Sequence, residues 1–215
     1  PTWKRLNQGE NWATGDTYLA GVGQGYVLST PVQVMNSFST IVNGGQHMQL
    51  SMIGKIVDAD GNVVQSFEPE VLWDITKDPM IHTYEGNNQT SEVKVVEPWV
   101  IELAKEGMQM VTSIEGTAKI EYEGDQNKIA GKTGTAEYCD DWANREGLCI
   151  PGSWPSHAWF AGYAPYDDPE IVVVSFVYNG REGSTVSGPI VRKIIDAYFE
   201  LKQIDTELEG LNAVK

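Results

Sequence analysis

Apolar residues spaced three and four apart mark the first clear element of this chain. Val34, Met35, Phe38, Ile41 and Val42 recur with a helical period. Thr30 ahead of them is a good N-cap. Pro31 suits the first helical position, where its missing N–H costs nothing, and Asn43-Gly44-Gly45 stops the run. Residues Pro1 to Tyr26 show no such period, are rich in Gly, Asn, Trp and Thr, and are expected to be loop. Met52 to Phe67 is expected to fold as a hairpin around Asp58-Ala59-Asp60-Gly61-Asn62, residue types that tolerate positive φ. Glu85 to Val93 is polar and is expected to be loop. A second helix is predicted from Pro98, with Val100, Leu103, Ala104, Met108 and Val111 as its apolar stripe and Gly116 just past its end.

In the last third the period shortens to that of a strand. Lys128 to Tyr138, Ala158 to Ala164 and Ile171 to Tyr178 are predicted strands, the latter two joined by Pro165-Tyr166-Asp167-Asp168-Pro169. Connections this short favour antiparallel neighbours. A closing helix follows Ser187-Gly188-Pro189, with Ile190, Val191, Ile194, Ile195, Tyr198 and Phe199 as its predicted buried face. The fold class is therefore α+β, an antiparallel sheet flanked by helices. There are no repeats. The organisation expected is a loop-rich opening over 1–27, helices and a hairpin over 28–127, and three strands with the terminal helix over 128–205.

Composition changes this picture little. The formal net charge of −15 repels a polyanion, so no nucleic-acid partner is expected. Half of the acids, 15 of 30, lie between Asp58 and Asp125 against four lysines, which is read as a solvated face. No apolar run approaches the roughly 18 residues of a membrane span, and no signal peptide opens the chain. Pro1 is not a natural start residue, so the chain is expected to continue upstream. Cys139 and Cys149 are compatible with a disulfide, with two free thiols or with part of a metal site.

The chemistry concentrates in Ile129-Ala130-Gly131-Lys132-Thr133-Gly134-Thr135-Ala136-Glu137. A Lys-Thr-Gly run on a strand makes an anion site. The ammonium supplies a point charge, the threonine hydroxyls supply donors, and Gly134 lets a substrate approach the backbone. Three residues alone also fit an ordinary edge strand. The surroundings decide between these readings. Downstream come His157-Ala158-Trp159-Phe160-Ala161-Gly162-Tyr163-Ala164-Pro165, a further strand and a terminal helix. Upstream lie Trp3-Lys4-Arg5, Gly15-Asp16-Thr17, Gly23-Gln24-Gly25-Tyr26, Thr30-Pro31-Val32-Gln33, Asn43-Gly44-Gly45 and Gly116-Thr117-Ala118. This ordered series resembles the class B penicillin-binding proteins, and most of all their elongation-type penicillin-binding protein 2 group. It runs from about Trp3 to Phe199.

The resemblance implies that the chain is the C-terminal portion of a transpeptidase domain of the serine penicillin-recognising fold. It implies acyl transfer from a peptidoglycan stem peptide ending in D-Ala–D-Ala, inhibition by β-lactams, no cofactor, and a place on the outer face of the bacterial cytoplasmic membrane. The implied partners are the upstream half of the same domain and a membrane glycosyltransferase of the elongation machinery. Lys132 is then expected to keep the site electropositive. Thr133, Gly134 and Thr135 are expected to bind the substrate, the two threonine hydroxyls through its terminal carboxylate, and the Thr135 N–H to be half of an oxyanion hole. An extracytoplasmic setting also favours a Cys139–Cys149 disulfide.

The family's other two signatures, Ser-x-x-Lys and Ser-x-Asn, are expected upstream of Pro1. Ser91-Glu92-Val93-Lys94 fits the first by letters only, because it follows the Gly-Gln-Gly segment and lies in a polar stretch; no Ser-x-Asn occurs. Related readings are a serine β-lactamase, a β-lactam sensor, or a non-catalytic binding module if the chain exists alone. Zinc held by Cys139, Cys149 and His157 with Asp140 or Asp141 is a weaker reading, since the cysteines lack a tight bite. His157 at a strand start reads as structural. Gly23-Gln24-Gly25 lacks the preceding strand and third glycine of a nucleotide loop. Trp154 and Trp159 read as packing residues.

Overall fold

The computed structural model describes residues 1–79, 83–85, 88–90 and 94–213. In chain order it contains α1 (Thr2–Gln8), α2 (Thr14–Gly21), α3 (Pro31–Val42), β1 (Gln46–Met48), β2 (Lys55–Val57), β3 (Val63–Ser66), β4 (Val71–Asp74), β5 (Thr83–Glu85) and β6 (Asn88–Thr90). There follow α4 (Pro98–Thr112), α5 (Lys119–Tyr122), β7 (Ala130–Glu137), α6 (Asp141–Arg145), β8 (Ser156–Ala164), β9 (Ile171–Val177), a π-turn at Gly183–Ser187 and α7 (Gly188–Ala213).

The main sheet has the order β7-β8-β9 and is antiparallel throughout. The short turn predicts that sense for β8 and β9, whereas β7 reaches β8 through residues 138–155, which include α6. Alternation sends successive side chains of each strand to opposite faces. Ile129 and Phe160 pack with Ala118, Tyr122, Val191 and Ile195, so α5 and α7 cover one face. Ala130, Ala161 and Tyr163 pack with Phe38, Val42 and Met108, so α3 and α4 cover the other. Central β8 is covered on both faces, which is why Phe160 to Ala164 is buried without interruption. At Gly162 a Cβ would lie 2.8 Å from Val191 Cγ1, so the missing side chain is what lets α7 sit down on the sheet.

The predicted α3 is present with its capping box. Thr30 Oγ1 accepts from the Gln33 N–H, and Gln33 Oε1 accepts from the Thr30 N–H. The hairpin of β2 and β3 is present too, and Asp58 Oδ1 accepts from the N–H groups of Asp60 and Asn62 across its turn.

Several expectations are corrected. The loop expected over Pro1–Tyr26 contains α1 and α2. Both are short and polar, and what joins them is ionic, so neither shows an apolar period: Lys4 Nζ lies 2.8 Å from Asp16 Oδ2. In α4 the predicted Met108 is buried and Ala104 and Val111 pack against the cores, but Val100 and Leu103 are exposed and Ile101 is buried instead. In α7 only Val191 and Ile195 are fully buried, while Ile190 and Ile194 are exposed. In both helices the apolar residues span an arc wider than the surface available to cover them. Of the loop expected over Glu85–Val93, Glu85 and Asn88–Thr90 belong to a short antiparallel pair; 86, 87 and 91–93 lie outside the described residues. Ser91 is among these.

Candidate active site

β7 pairs with β8 along one edge, and its other edge has no strand among the described residues. In an antiparallel ladder a residue's N–H and C=O point the same way. The contacts show that the odd-numbered residues of β7 point outward. The Ile129 carbonyl accepts from Thr112 Oγ1 at 2.7 Å, the Thr133 carbonyl from Lys132 Nζ at 2.7 Å, and the Thr135 carbonyl from Gln24 Nε2 at 3.3 Å. Thus α4 covers the edge at Ile129, and farther along the Thr133 and Thr135 carbonyls are met by the Lys132 and Gln24 side chains. The Thr135 N–H faces the same open side.

Lys132, Thr133, Gly134 and Thr135 are brought together simply by being consecutive on β7. Lys132 is exposed, and among the described residues no carboxylate pairs with it. Thr133 and Thr135 share a face, as a period of two requires. Thr133 Oγ1 lies 3.5 Å from Thr117 Oγ1. Thr117 belongs to the turn after α4, where the Ala118 N–H donates to the Val111 carbonyl. Thr135 Oγ1 donates to Glu182 Oε1 and accepts from the Gly183 N–H, both at a long 3.4 Å. Contacts of that length are weak and exchange readily for a ligand oxygen. Gly183 is required there, because a Cβ would stand 2.3 Å from the Gly134 carbonyl oxygen.

Gln24 comes from the Gly23–Tyr26 turn, in which Gly23 and Gly25 have φ of 76° and 78°. The turn is fastened to α1 and α2. Lys4 is only 6% exposed, holds Asp16, and places its ammonium 5.1 Å above the Tyr26 ring. The Ala13 N–H and then Lys4 hold the Asp16 carboxyl below the usual range, and Asp16 in turn raises Lys4. A cavity of about 250 Å³ lies between this turn and the far end of β7, lined by Leu19, Gln24, Gly25, Glu137, Tyr138, Cys139 and Trp154. A larger hollow of about 370 Å³ along the C-terminal half of α7 contains none of these residues.

Just past β7, Cys139 and Cys149 are joined in a disulfide with Cα atoms 5.6 Å apart. The zinc reading therefore has no free thiols, and no group of metal-ligating side chains occurs among the described residues. His157 stacks on Tyr138 at 3.8 Å and accepts the Asn179 N–H at Nδ1. Burial pushes its pKa down, with Asp140 opposing. It is a packing residue, as expected. Trp159 packs on Phe176, again as expected, while Trp154 lines the cavity.

Sequence reasoning assigned no role to Gln24, Thr117, Glu182 or Gly183. Gln24 and Thr117 lie in the Gly-Gln-Gly and Gly-Thr-Ala segments that carry the resemblance, the one signal they give. Nothing in Arg181-Glu182-Gly183 indicated that it returns to β7.

The family model described as penicillin binding protein transpeptidase domain matches residues 5–196. The peptidoglycan D,D-transpeptidase MrdA of Haemophilus influenzae is 30% identical over 202 residues, taking in 92% of this chain and 28% of that protein. Pseudomonas aeruginosa PBP2, solved in complex with WCK 5153, superposes with a TM-score of 0.61 at 26% identity, covering 92% of this chain and 36% of that one. Penicillin-binding protein A from Mycobacterium tuberculosis, solved as a penicillin G acyl-enzyme complex, gives a TM-score of 0.57 at 26% identity, covering 84% and 34%. The chain spans under a third of the length of MrdA.

Proposed function

The chain belongs to the penicillin-binding protein transpeptidase domain family, in its elongation-type class B branch, and from that premise we propose that it is the Lys-Thr-Gly part of a peptidoglycan D,D-transpeptidase. The observation that carries this reading is the free edge of β7. It presents one ammonium that no carboxylate of the described residues pairs with, two hydroxyls on one face and an outward Thr135 N–H, within four consecutive residues.

The reaction is acyl transfer. A serine of the longer protein attacks the penultimate D-Ala carbonyl of a stem peptide, and its proton passes to a neighbouring base. The C–N bond breaks, D-Ala leaves as the protonated amine, and a serine ester remains. The amine of a second stem attacks that ester, forms the cross-link and returns the hydroxyl. In this scheme Lys132 attracts the terminal carboxylate, which the Thr133 and Thr135 hydroxyls bind. The Thr135 hydroxyl leaves Glu182 to do so. The Thr135 N–H stabilises the oxyanion, a role worth roughly 10²–10³ in rate. β-Lactams acylate the same serine. The setting is the outer face of the cytoplasmic membrane, beside a membrane glycosyltransferase, with the upstream half of the domain supplying the serine. No helix among the described residues is long and apolar enough to cross a membrane.

The test is Lys132→Ala in the complete protein. Acylation by a fluorescent penicillin is expected to slow at least tenfold with the melting temperature unchanged. Unchanged acylation in a normally melting variant overturns the assignment of Lys132. Rapid hydrolytic turnover of the penicillin, in place of a long-lived adduct, would favour a β-lactamase.

A further inference from the structure

We propose that Gln24 is a positioning residue for Thr135: its side-chain amide holds the Thr135 carbonyl at the unpaired edge of β7 and thereby aims the Thr135 N–H. This rests on the transpeptidase reading above.

A strand edge without a neighbour leaves its peptide groups without ladder partners, and so without the bonds that fix their tilt. Thr135 sits at such an edge, and the Gln24 Nε2–H reaches its carbonyl across 111 residues of sequence. The Thr135 side chain is tethered separately, to Glu182 and Gly183. Among the described residues Gln24 is thus the side chain that tethers the Thr135 main chain, and it acts on the residue whose N–H the reaction uses.

The tether is only as firm as its base, and the base is built. The Gln24 N–H donates to the Leu19 carbonyl at 2.8 Å, which fixes its backbone to the end of α2. Two residues on, Tyr26 lies under the Lys4 ammonium and 5.8 Å from the Trp3 ring. Lys4 is bonded to Asp16, whose Oδ2 also accepts the Ala13 N–H that starts α2. A largely buried lysine and its ionic contact to Asp16 therefore lock α1, α2 and the turn into one support. This gives Trp3-Lys4-Arg5, Gly15-Asp16-Thr17 and Gly-Gln-Gly a shared purpose: they place one amide against β7.

The experiment uses the complete protein and a fluorescent penicillin, with the acylation rate resolved from initial binding by varying its concentration. Gln24→Ala is expected to lower the acylation step roughly tenfold, less than the 10²–10³ of losing a donor outright. Initial binding and melting should change little. Gln24→Glu is the more telling variant. An ionised carboxylate repels the Thr135 carbonyl, whereas a protonated one has an O–H to donate. Its rate relative to the wild type is expected to be lowest near pH 8 and to recover as pH falls towards the carboxyl range. A merely structural defect would not recover. If both variants acylate at the wild-type rate while Lys132→Ala is slow, the Gln24 inference is overturned and the transpeptidase reading stands. If the wild type itself forms no adduct, that reading fails, and this inference with it.

Discussion

His157 sits at the head of β8 with rings on several sides: Tyr138 stacked at 3.8 Å, Tyr178 at 4.8 Å and Phe176 at 5.1 Å. Asp140 faces it and favours the imidazolium, but burial is the larger effect and pushes the ring's pKa down. Its Nδ1 already accepts the Asn179 N–H, so protonation there would break that bond. The sign of the pH dependence follows. The unfolded chain takes up a proton near pH 6.5, whereas the folded chain resists until lower pH. The stability due to the neutral ring is therefore complete above about pH 6.5 and is lost as pH falls below it. His157→Gln keeps an acceptor and cannot titrate. Its denaturation midpoint should drop less between pH 7.5 and 5.5 than that of the wild type. Equal drops would show that this ring is not what titrates. The site residues illustrate a different point. The identity of Lys132, Thr133 and Thr135 was legible because they are consecutive, whereas the partners that constrain them, Gln24, Thr117 and Glu182, come from three distant segments.

At the scale of elements, the Cys139–Cys149 disulfide closes a short loop containing α6 directly after β7. Closing so short a loop is worth about 2–3 kcal/mol on the chain-entropy model. The double variant Cys139→Ser with Cys149→Ser is expected to lose about that much in chemical denaturation. Mass spectrometry of native protein should find no alkylatable thiol; two free thiols in native material would exclude the bond. Strand and helix existence was legible from period alone for α3, α4, β7, β8, β9 and α7. The rotation of α4 and α7 was not. Val100 and Ile101 are adjacent and equally apolar, and only the neighbouring sheet decides which of them is covered. The same holds for Ile190 and Val191. The two N-terminal helices were invisible for another reason: they are held by Lys4, which pairs with Asp16 and Glu10, and ion pairs of one residue leave no periodic trace.

At the scale of the whole molecule, large apolar side chains stand open to solvent, among them Leu28 at 87%, Ile114 at 85% and Val22 at 76% exposed. Exposure on this scale fits a chain that spans under a third of MrdA. The chain alone is expected to be poorly soluble and to form no adduct with penicillin, since loss of a serine nucleophile costs about 10⁶ in turnover. On the proposed reading, in which the serine lies upstream of Pro1, mixing with that upstream segment should restore an adduct on its serine. The measurement is intact mass after incubation with a fluorescent penicillin. An adduct mapped to Ser91 on the chain alone would overturn the rejection of that motif. What the sequence by itself determined is whatever depends on neighbours along the chain: the α+β class, the strands and the antiparallel sense of β8 and β9, the α3 cap, and the position of the Lys-Thr-Gly-Thr run on a strand. Those follow from period, turn residues and spacing, which are local. The tertiary structure alone decided which edge of β7 stays open, which face of each helix is covered, and which groups meet at Thr135. Each of these depends on contacts between segments far apart in sequence, such as the 111 residues between Gln24 and Thr135, and no local pattern encodes them.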